Sequence, residues 1–146
     1  MRYSYLVGLC LSTCLTSPAA AENWYQVATT DNSIDYADAD TIRAFGDTMS
    51  VDVLRGFAGD GTSSGYAKVA LDIACASNQV RMTNAVRYDS QRQYLSTDNT
   101  VSEWQTITDN SVAQQVRRFT CDGALRETHV SNPFDDADDY WYYYGF

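Results

Sequence analysis

The stretch LDIACASNQVRMTNAVRYD, residues 71–89, holds two runs of alternating apolar and polar residues separated by the short polar turn ASN. In the first run, Leu71, Ile73 and Cys75 fall on one face, because successive strand side chains point to opposite faces of a sheet. Two such runs joined by a short polar turn predict an antiparallel β-hairpin. Cys75 is then a core-facing residue at the end of a strand.

The second run is predicted to alternate without interruption. Its core-facing residues are Val80, Met82, Val86 and Tyr88, and its outward-facing residues are Arg81, Thr83 and Arg87. Further strands are predicted over 23–30 and 47–57, with weaker candidates over 93–97 and 103–107. The Gly- and Ser-rich stretch 58–65 predicts a loop.

A helix is predicted over residues 108–123, where the spacing of apolar residues changes from that of a strand to that of a helix. Its single apolar stripe is formed by Val112, Val116 and Phe119. The candidate N-terminal caps are Asp109, Asn110 and Ser111, and Gly123 is the predicted stop. Cys121 lies off the stripe, so the last turn is expected to loosen in order to present it to the sheet.

The first 21 residues have the layout of a secretory signal peptide. Arg2 precedes an apolar stretch that ends near Leu15, and Ala19-Ala20-Ala21 forms a small-residue cleavage site. The apolar stretch is shorter than the roughly 20 residues that a membrane-spanning helix needs. The mature chain is therefore expected to begin at Glu22 and to contain no membrane span.

A lipoprotein is the less favoured alternative at this end of the chain. Leu11-Ser12-Thr13-Cys14 resembles a bacterial lipobox, but Thr13 stands where Gly, Ala or Ser is usual. The cleavage site downstream competes with it, so lipidation at Cys14 is not the primary expectation.

Removal of the signal peptide would leave two cysteines, Cys75 and Cys121, in an exported chain. Oxidising compartments favour disulfides, and the wide separation of the two residues is unlike a reactive C-x-x-C pair. One structural disulfide is therefore predicted. It would tie the helix to the sheet face that carries Cys75.

The chain is acidic, with a formal net charge of −9 that becomes −10 when the signal peptide and its one cation, Arg2, are removed. Nucleic acid and anionic lipid attract clustered Lys and Arg, which this chain lacks, so neither is an expected partner. The acidic stretch DNSIDYADAD, residues 31–40, has neither the central glycine nor the terminal glutamate of a calcium-binding hand. It is predicted to be a solvated edge without a metal.

No catalytic residue, metal or cofactor is predicted. His129 is the single histidine and lies in the alternating segment LRETHV, residues 125–130. With both cysteines in a bridge, no Cys/His pair remains, and no nucleophile-elbow pattern is present. The chain is therefore not expected to be an enzyme.

An ordered set of residues resembles the surface-adhesin protein E-like domains of bacteria. The set runs from Trp24 and the segment 36–42 through the hairpin 71–89 and Trp104 to the helix that carries Cys121. The resemblance covers roughly residues 23–122. The sequence departs from the pattern before the helix, where Thr108-Asp109-Asn110 replaces a common proline–glycine pair.

The resemblance implies an α+β fold, in which a small antiparallel β-sheet carries one C-terminal helix packed on a face and tied by the disulfide. It also implies binding to host matrix or plasma proteins, the role of the best-known type. Because one fold supports many functions, the resemblance predicts the fold more directly than it predicts the function.

The C-terminal stretch NPFDDADDYWYYYGF, residues 132–146, lies beyond the resemblance. Pro133 and the aspartates are typical of a linker, and the aromatic residues that follow alternate. Three outcomes stay open for it: an added edge strand, an aromatic arm that docks on this or a second subunit, and a disordered tail.

We therefore expect a signal peptide (1–21), an adhesin-like domain (22–123) and an acidic, aromatic tail (124–146). The expected function is that of an exported bacterial protein-binding module, with a periplasmic accessory domain that has no host ligand as the alternative. A homodimer stays open. The candidate binding residues are Arg81, Arg87, Tyr88, Tyr140, Trp141 and Tyr142.

Overall fold

The computed structural model describes residues 22–59 and 64–144. The predicted signal peptide, including Cys14, lies outside the described residues, as does part of the predicted loop. The strands are β1 (Trp24–Thr29), β2 (Ser33–Phe45), β3 (Thr48–Phe57), β4 (Gly65–Ala74), β5 (Gln79–Tyr88), β6 (Tyr94–Asp98), β7 (Gln105–Thr106) and β8 (His129–Val130). The helices are α1 (Val112–Asp122) and α2 (Pro133–Tyr144).

The strands form one antiparallel sheet, which has eight strands in the described part of the chain. Their order is β6-β5-β4-β3-β2-β1-β8, and β7 pairs with β5 beside β6. Strands β1 to β6 are neighbours in sequence and in space, so they form a meander. The predicted hairpin is β4–β5, and the predicted antiparallel sheet is confirmed, although it carries two helices instead of one.

The sheet packs a helix on each face. The α1 face carries the buried cluster Val27, Ala37, Val51, Val53, Ile73, Ile107, Val116 and Phe119. The α2 face carries Trp24, Ile34, Tyr36, Leu54, Tyr66, Val130, Ala137 and Trp141. Neighbouring residues such as Tyr36 and Ala37 belong to opposite clusters, because side chains alternate along a strand. The central strands are therefore apolar on both sides.

Helix α1 has the caps that the sequence predicts. The Ser111 side chain accepts a hydrogen bond from the backbone N–H of Gln114 at 3.1 Å, and Gly123 ends the helix in the left-handed conformation, with φ 67°. The helix stays regular through Asp122, so the expected loosening of its last turn is wrong. Cys121 reaches Cys75 because Cys75 lies in the turn after β4, and this turn contacts the C-terminal end of the helix.

The predicted disulfide joins Cys75 to Cys121, with the two Cα atoms 6.0 Å apart. Next to it, Arg117 Nη2 donates a hydrogen bond to the backbone oxygen of Cys75 at 3.1 Å. A bridge over a sequence separation of 46 residues restricts the unfolded chain by about 4 kcal/mol in the loop-entropy description. The C-terminal end of α1 is thus fixed to the end of β4.

A β-bulge interrupts β5 and changes which residues share a face. Asn84 lies opposite Ala70, but Met82 lies opposite Leu71, so Thr83 is an extra residue. One extra residue reverses the face to which the following side chains point. The prediction that all four alternating apolar residues of this strand share one face is therefore wrong: Val80 and Met82 point to the α1 face, whereas Val86 and Tyr88 point to the α2 face.

The acidic stretch 31–40 is not the solvated edge that the sequence predicts. It forms most of β2, which lies between β1 and β3 in the interior of the sheet. Asp35 and Asp38 are 0% and 2% exposed. Asp38 is satisfied locally, since its carboxylate accepts backbone N–H groups from Asn23 at 3.1 Å and Asp40 at 3.0 Å.

Residues 133–144 of the C-terminal segment form helix α2, so the expectations of an edge strand and of a disordered tail are wrong for this part of it. The last two residues lie outside the described residues. The helix docks on its own subunit, one of the outcomes left open. The Asn132 side chain caps the helix by accepting the N–H groups of Phe134 at 3.1 Å and Asp135 at 3.4 Å. Pro133 occupies the first helical position, where its missing N–H costs no hydrogen bond.

Polar contacts hold α2 against the sheet. The Tyr36 hydroxyl donates to Asp136 at 2.6 Å, and the Tyr66 hydroxyl donates to Asp138. Arg92, from the turn after β5, contacts Asp135 at 2.5 Å and Asp138 at 2.8 Å. The acidic first half of the helix is therefore paired with two tyrosines of the sheet and with an arginine of the turn after β5.

The approach of α2 to the sheet is close enough to require a glycine. A Cβ atom at Gly56 would lie 2.9 Å from the Cβ of Ala137, which is shorter than side chains tolerate. Trp141 is buried one helical turn further on, at 4% exposure. The helix is consequently part of the core of the α2 face.

If α2 is part of the core, Trp141→Ala should lower the free energy of unfolding by about 3 to 5 kcal/mol, the usual cost of truncating a buried aromatic residue. Tyr143→Ala, a change on the exposed side of the same helix (72% exposed), should alter it by about 0.5 kcal/mol or less. Urea unfolding followed by circular dichroism measures both. Equal, small effects would show that α2 is not packed on the sheet.

Candidate functional site

Helix α1 covers only part of the α1 face. Its buried stripe rests on β1, β2 and β3, and the face continues beyond it across β4 and β5 to β6. We call this continuation the open face and define it by Val53, Arg55, Phe57, Ala67, Val69, Met82, Ala85, Arg87 and Leu95. No helix of the described chain lies over it.

The open face contains two adjoining cavities. One, of about 400 Å³, lies against the N-terminal half of α1 at Val112 and Val116, and its walls are mostly apolar. The other, of about 410 Å³, reaches toward Leu95 at the β6 edge. Arg55, Val69 and Met82 line both cavities. Together the cavities form a groove with an apolar floor.

Two arginines stand on this apolar floor in one cross-strand row. The sheet register places Asp35 opposite Arg55, Arg55 opposite Ala67, and Ala67 opposite Arg87. Residues that are directly opposite each other point to the same face. Because neighbouring strands lie about 4.8 Å apart, the Cα atoms of the two arginines are about 10 Å apart, and Ala67 is the residue on the strand between them.

The first arginine of the row is oriented by a buried carboxylate. Arg55 Nε donates to Asp35 Oδ1 at 2.6 Å, and the Ser33 hydroxyl donates to Asp35 Oδ2 at 2.9 Å. The Asp35 side chain is fully buried, whereas that of Arg55 is 38% exposed. Burial raises the pKa of the Asp35 carboxyl above its ordinary value near 3.8, and Arg55 offsets that rise only in part.

The arginine hydrogen-bond donors of this row that point away from Asp35 are unpaired within the described part of the chain. Among residues 22–59 and 64–144, the two Nη atoms of Arg55 have no hydrogen-bond partner, and the Arg87 side chain makes neither a hydrogen bond nor an ion pair. The charge of Arg87 reaches the exposed carboxyl of Asp98, whose pKa is lowered mainly by hydrogen bonds from Thr100. The open face thus presents positive charge on a strongly acidic protein.

The structure separates the three candidate binding residues of β5. Arg87 lies on the open face. Arg81 also lines the first cavity, but its side chain is paired with Asp72 at 2.8 Å and stacks on the Trp104 ring at 4.6 Å. Tyr88 points away from Arg87 and meets the ring of Phe134 in α2 at 6.0 Å between centroids.

The three candidate residues of the C-terminal segment all lie on α2. Trp141 is buried, and Tyr140 packs edge-on against it at 4.9 Å between ring centroids. Tyr142 is 71% exposed and continues into an exposed aromatic end formed by Tyr143 and Tyr144. These residues are not part of the open face, so the structure does not bring the six candidates together.

Sequence reasoning missed Asp35 and Arg55. The alternation along β3 could have identified Arg55. This residue falls on the same side of the strand as Val51 and Val53, which is a buried face. A charged residue on a buried face requires a partner. Asp35 could be found as that partner only once β2 is known to pair with β3.

His129 lies on β8, is exposed, and meets the ring of Tyr25 edge-on at 5.3 Å between centroids. A polar cavity of about 300 Å³ beside it is lined by Asn132, Asp135, Asp136 and Asp139. Within the described ranges, no three His, Cys, Asp or Glu residues are arranged to hold a metal ion. Nor does any described helix have the length and apolar character needed to cross a membrane.

Comparisons with known proteins agree with this architecture. The sequence profile of the surface-adhesin protein E family matches residues 24–122, and the chain belongs to that family. The resemblance inferred from the sequence is thereby confirmed. Family membership makes the chain a surface adhesin-like, exported protein, and it favours a binding role over an enzymatic one.

A solved structure, crystal form II of Haemophilus influenzae protein E, is similar in fold. The TM-score is 0.51 at 11% sequence identity, and the alignment covers 79% of this chain and 98% of that one. Identity at this level shows the shared fold alone. No curated protein matches this chain in sequence.

Because burial raises the pKa of Asp35, the folded state holds that proton more tightly than the unfolded state does. The contribution of Asp35 to stability is therefore greatest below its unfolded pKa and falls as the pH rises through the folded pKa. Asp35→Asn removes this loss, so the free energy of unfolding of the variant relative to the unmodified protein should increase between pH 3 and pH 7.

The measurement is urea unfolding at several pH values. Asp31→Asn, a change of the same charge at an exposed position of the preceding turn, serves as the control. A relative stability of Asp35→Asn that decreases as the pH rises would mean that the ion pair with Arg55 outweighs the cost of burial.

Proposed function

We propose that the mature chain is displayed at the bacterial surface and binds a host extracellular-matrix or plasma protein through the open face. Three observations support the proposal: membership of the surface-adhesin protein E family, the signal-peptide layout of residues 1–21, and the open face itself. The open face carries most weight, because it is the part of the described chain that combines apolar area, cavities and available charge.

The open face has the composition of a protein-binding surface. Phe57 and Leu95 are 39% and 60% exposed, and they lie beside the half-buried Val69 and Met82. Exposed apolar clusters that are bordered by polar groups are typical of interaction sites. Arginine and aromatic side chains supply a large share of binding energy at such sites.

The scaffold beneath the open face is an antiparallel sheet that a disulfide ties to α1. Strands β3 and β4 pair without interruption below it, and β4 and β5 pair on both sides of the bulge at Thr83. The disulfide joins α1 to the end of β4. A preformed surface loses little conformational entropy when it binds a partner. The proposed mode is therefore docking of a partner segment into a preformed groove.

The exposed end of α2 is a second contact candidate. Tyr142, Tyr143 and Tyr144 are each at least 65% exposed, and tyrosine supplies large contact area at low entropic cost. Of the candidate residues inferred from the sequence, Arg87 and Tyr142 keep an exposed side chain in the structure. We place Arg87 in the primary contact and Tyr142 in an accessory one.

The proposal predicts which exposed phenylalanine matters for binding. Oxidised mature protein, residues 22–146, should capture a purified matrix or plasma protein saturably. Phe57→Ser should weaken that capture at least tenfold, about 1.4 kcal/mol, because it removes an aromatic side chain from the open face. Phe45→Ser changes the same residue type at 67% exposure at the far end of β2 and should leave the capture unchanged.

Biolayer interferometry against a panel of purified matrix, plasma and cell-envelope proteins measures the capture, and light scattering of the same samples reports any homodimer. Capture of envelope proteins alone would contradict the proposal and favour the periplasmic accessory role. Saturable host-protein capture that survives Phe57→Ser would place the contact elsewhere on the molecule.

A further inference from the structure

We propose that the open face recognises an extended peptide segment in which an acidic residue is flanked by apolar residues two positions away on either side. The carboxylate would bind above Ala67, between the guanidinium groups of Arg55 and Arg87. This inference rests on the proposed function and names the chemistry of the partner.

The row of arginines supplies a carboxylate site of the right shape. Ala67 is small and lies directly opposite both Arg55 and Arg87, so the space above its methyl group is flanked by a cation on each side. Asp35 engages Nε of Arg55 at 2.6 Å and leaves the Nη donors to a ligand. Guanidinium groups bind carboxylates through paired, charge-assisted hydrogen bonds.

The apolar neighbours of the row fix the spacing of the ligand. On one side of the row, Val53 and Val69 are opposite each other, and on the other side Phe57 follows Arg55 by two residues. Rows of one face repeat every two residues, about 6.6 Å along a strand. An extended peptide that lies along the strands repeats its own side chains at the same interval, so apolar residues at i−2 and i+2 would meet the two cavities.

The charge of the rest of the chain selects the class of anion. The mature protein carries a net charge of −10, which repels a polyanion such as a sulfated glycan. A peptide with a single carboxylate experiences little of that repulsion, because exposed charges are screened beyond about 8 Å at physiological ionic strength. One exposed acid of the face, Asp98, lies in the next row opposite Ala85, within reach of the charge of Arg87.

The test uses two synthetic peptides with the cores Leu-Ser-Glu-Ser-Leu and Leu-Ser-Gln-Ser-Leu, titrated into the oxidised mature protein and followed by NMR. The Glu peptide should bind at least tenfold more tightly than the Gln peptide and should shift the methyl resonances of Ala67 and Val69. Raising the salt concentration should weaken binding of the Glu peptide only.

Arg87→Gln should abolish the preference for the Glu peptide, and the variant is expected to fold because the Arg87 side chain is exposed and makes no hydrogen bond or ion pair with another described residue. Arg118→Gln alters an arginine exposed on α1, whose described side-chain contact is with Gln115, and should retain the preference. Arg55→Gln should also abolish it, but this variant leaves Asp35 without its cation and is therefore the secondary test.

Equal affinity for the two peptides, absence of binding by the Glu peptide, or tighter binding of a heparin fragment than of the Glu peptide would each overturn the inference. The proposed function fails separately. If the protein prefers the Glu peptide but captures no host protein, only the proposal of a host ligand is contradicted. If it captures a host protein through Phe57 but does not prefer the Glu peptide, only the proposed recognition of an acidic residue is contradicted.

Discussion

The disulfide between Cys75 and Cys121 is the constraint on which the arrangement of the molecule depends. It joins the C-terminal end of α1 to the end of β4, while the apolar stripe of the helix packs on β1, β2 and β3. The remainder of that face, over β4 and β5, is therefore left without a helix. The disulfide and the packing of α1 together leave this part of the sheet as the proposed binding surface.

The α2 face is stabilised by different interactions. There α2 is held by its own packing and by hydrogen bonds between its aspartates and the tyrosine hydroxyls of the sheet, above all Tyr36 with Asp136. Gly56 allows the helix to approach the backbone of β3. Because both faces of the central strands are covered, β2 can bury Asp35, and the ion pair that results orients Arg55 toward the open face.

Local patterns were sufficient to predict the hairpin, the capped helix α1 and the disulfide, since each depends on residues close in sequence or on the compartment. Local patterns failed where the structure depends on contacts between residues that are distant in sequence. Asn132, Pro133 and the aspartates after them are helix-start residues, but the alternating tyrosines suggested a strand. The bulge at Thr83 has no local indication. The row of Asp35, Arg55 and Arg87 exists only once four strands are in register, so the centre of the candidate site could not be predicted from the sequence.

The proposed binding surface is tested most directly by a methyl NMR footprint of the oxidised mature protein, titrated with a purified host matrix or plasma protein. If the open face is the binding surface, the methyl resonances of Val53, Val69 and Leu95 should shift or broaden, while that of Val101, which is 53% exposed outside the open face, should not. A footprint confined to α2, or to the outer surface of α1, would contradict the account.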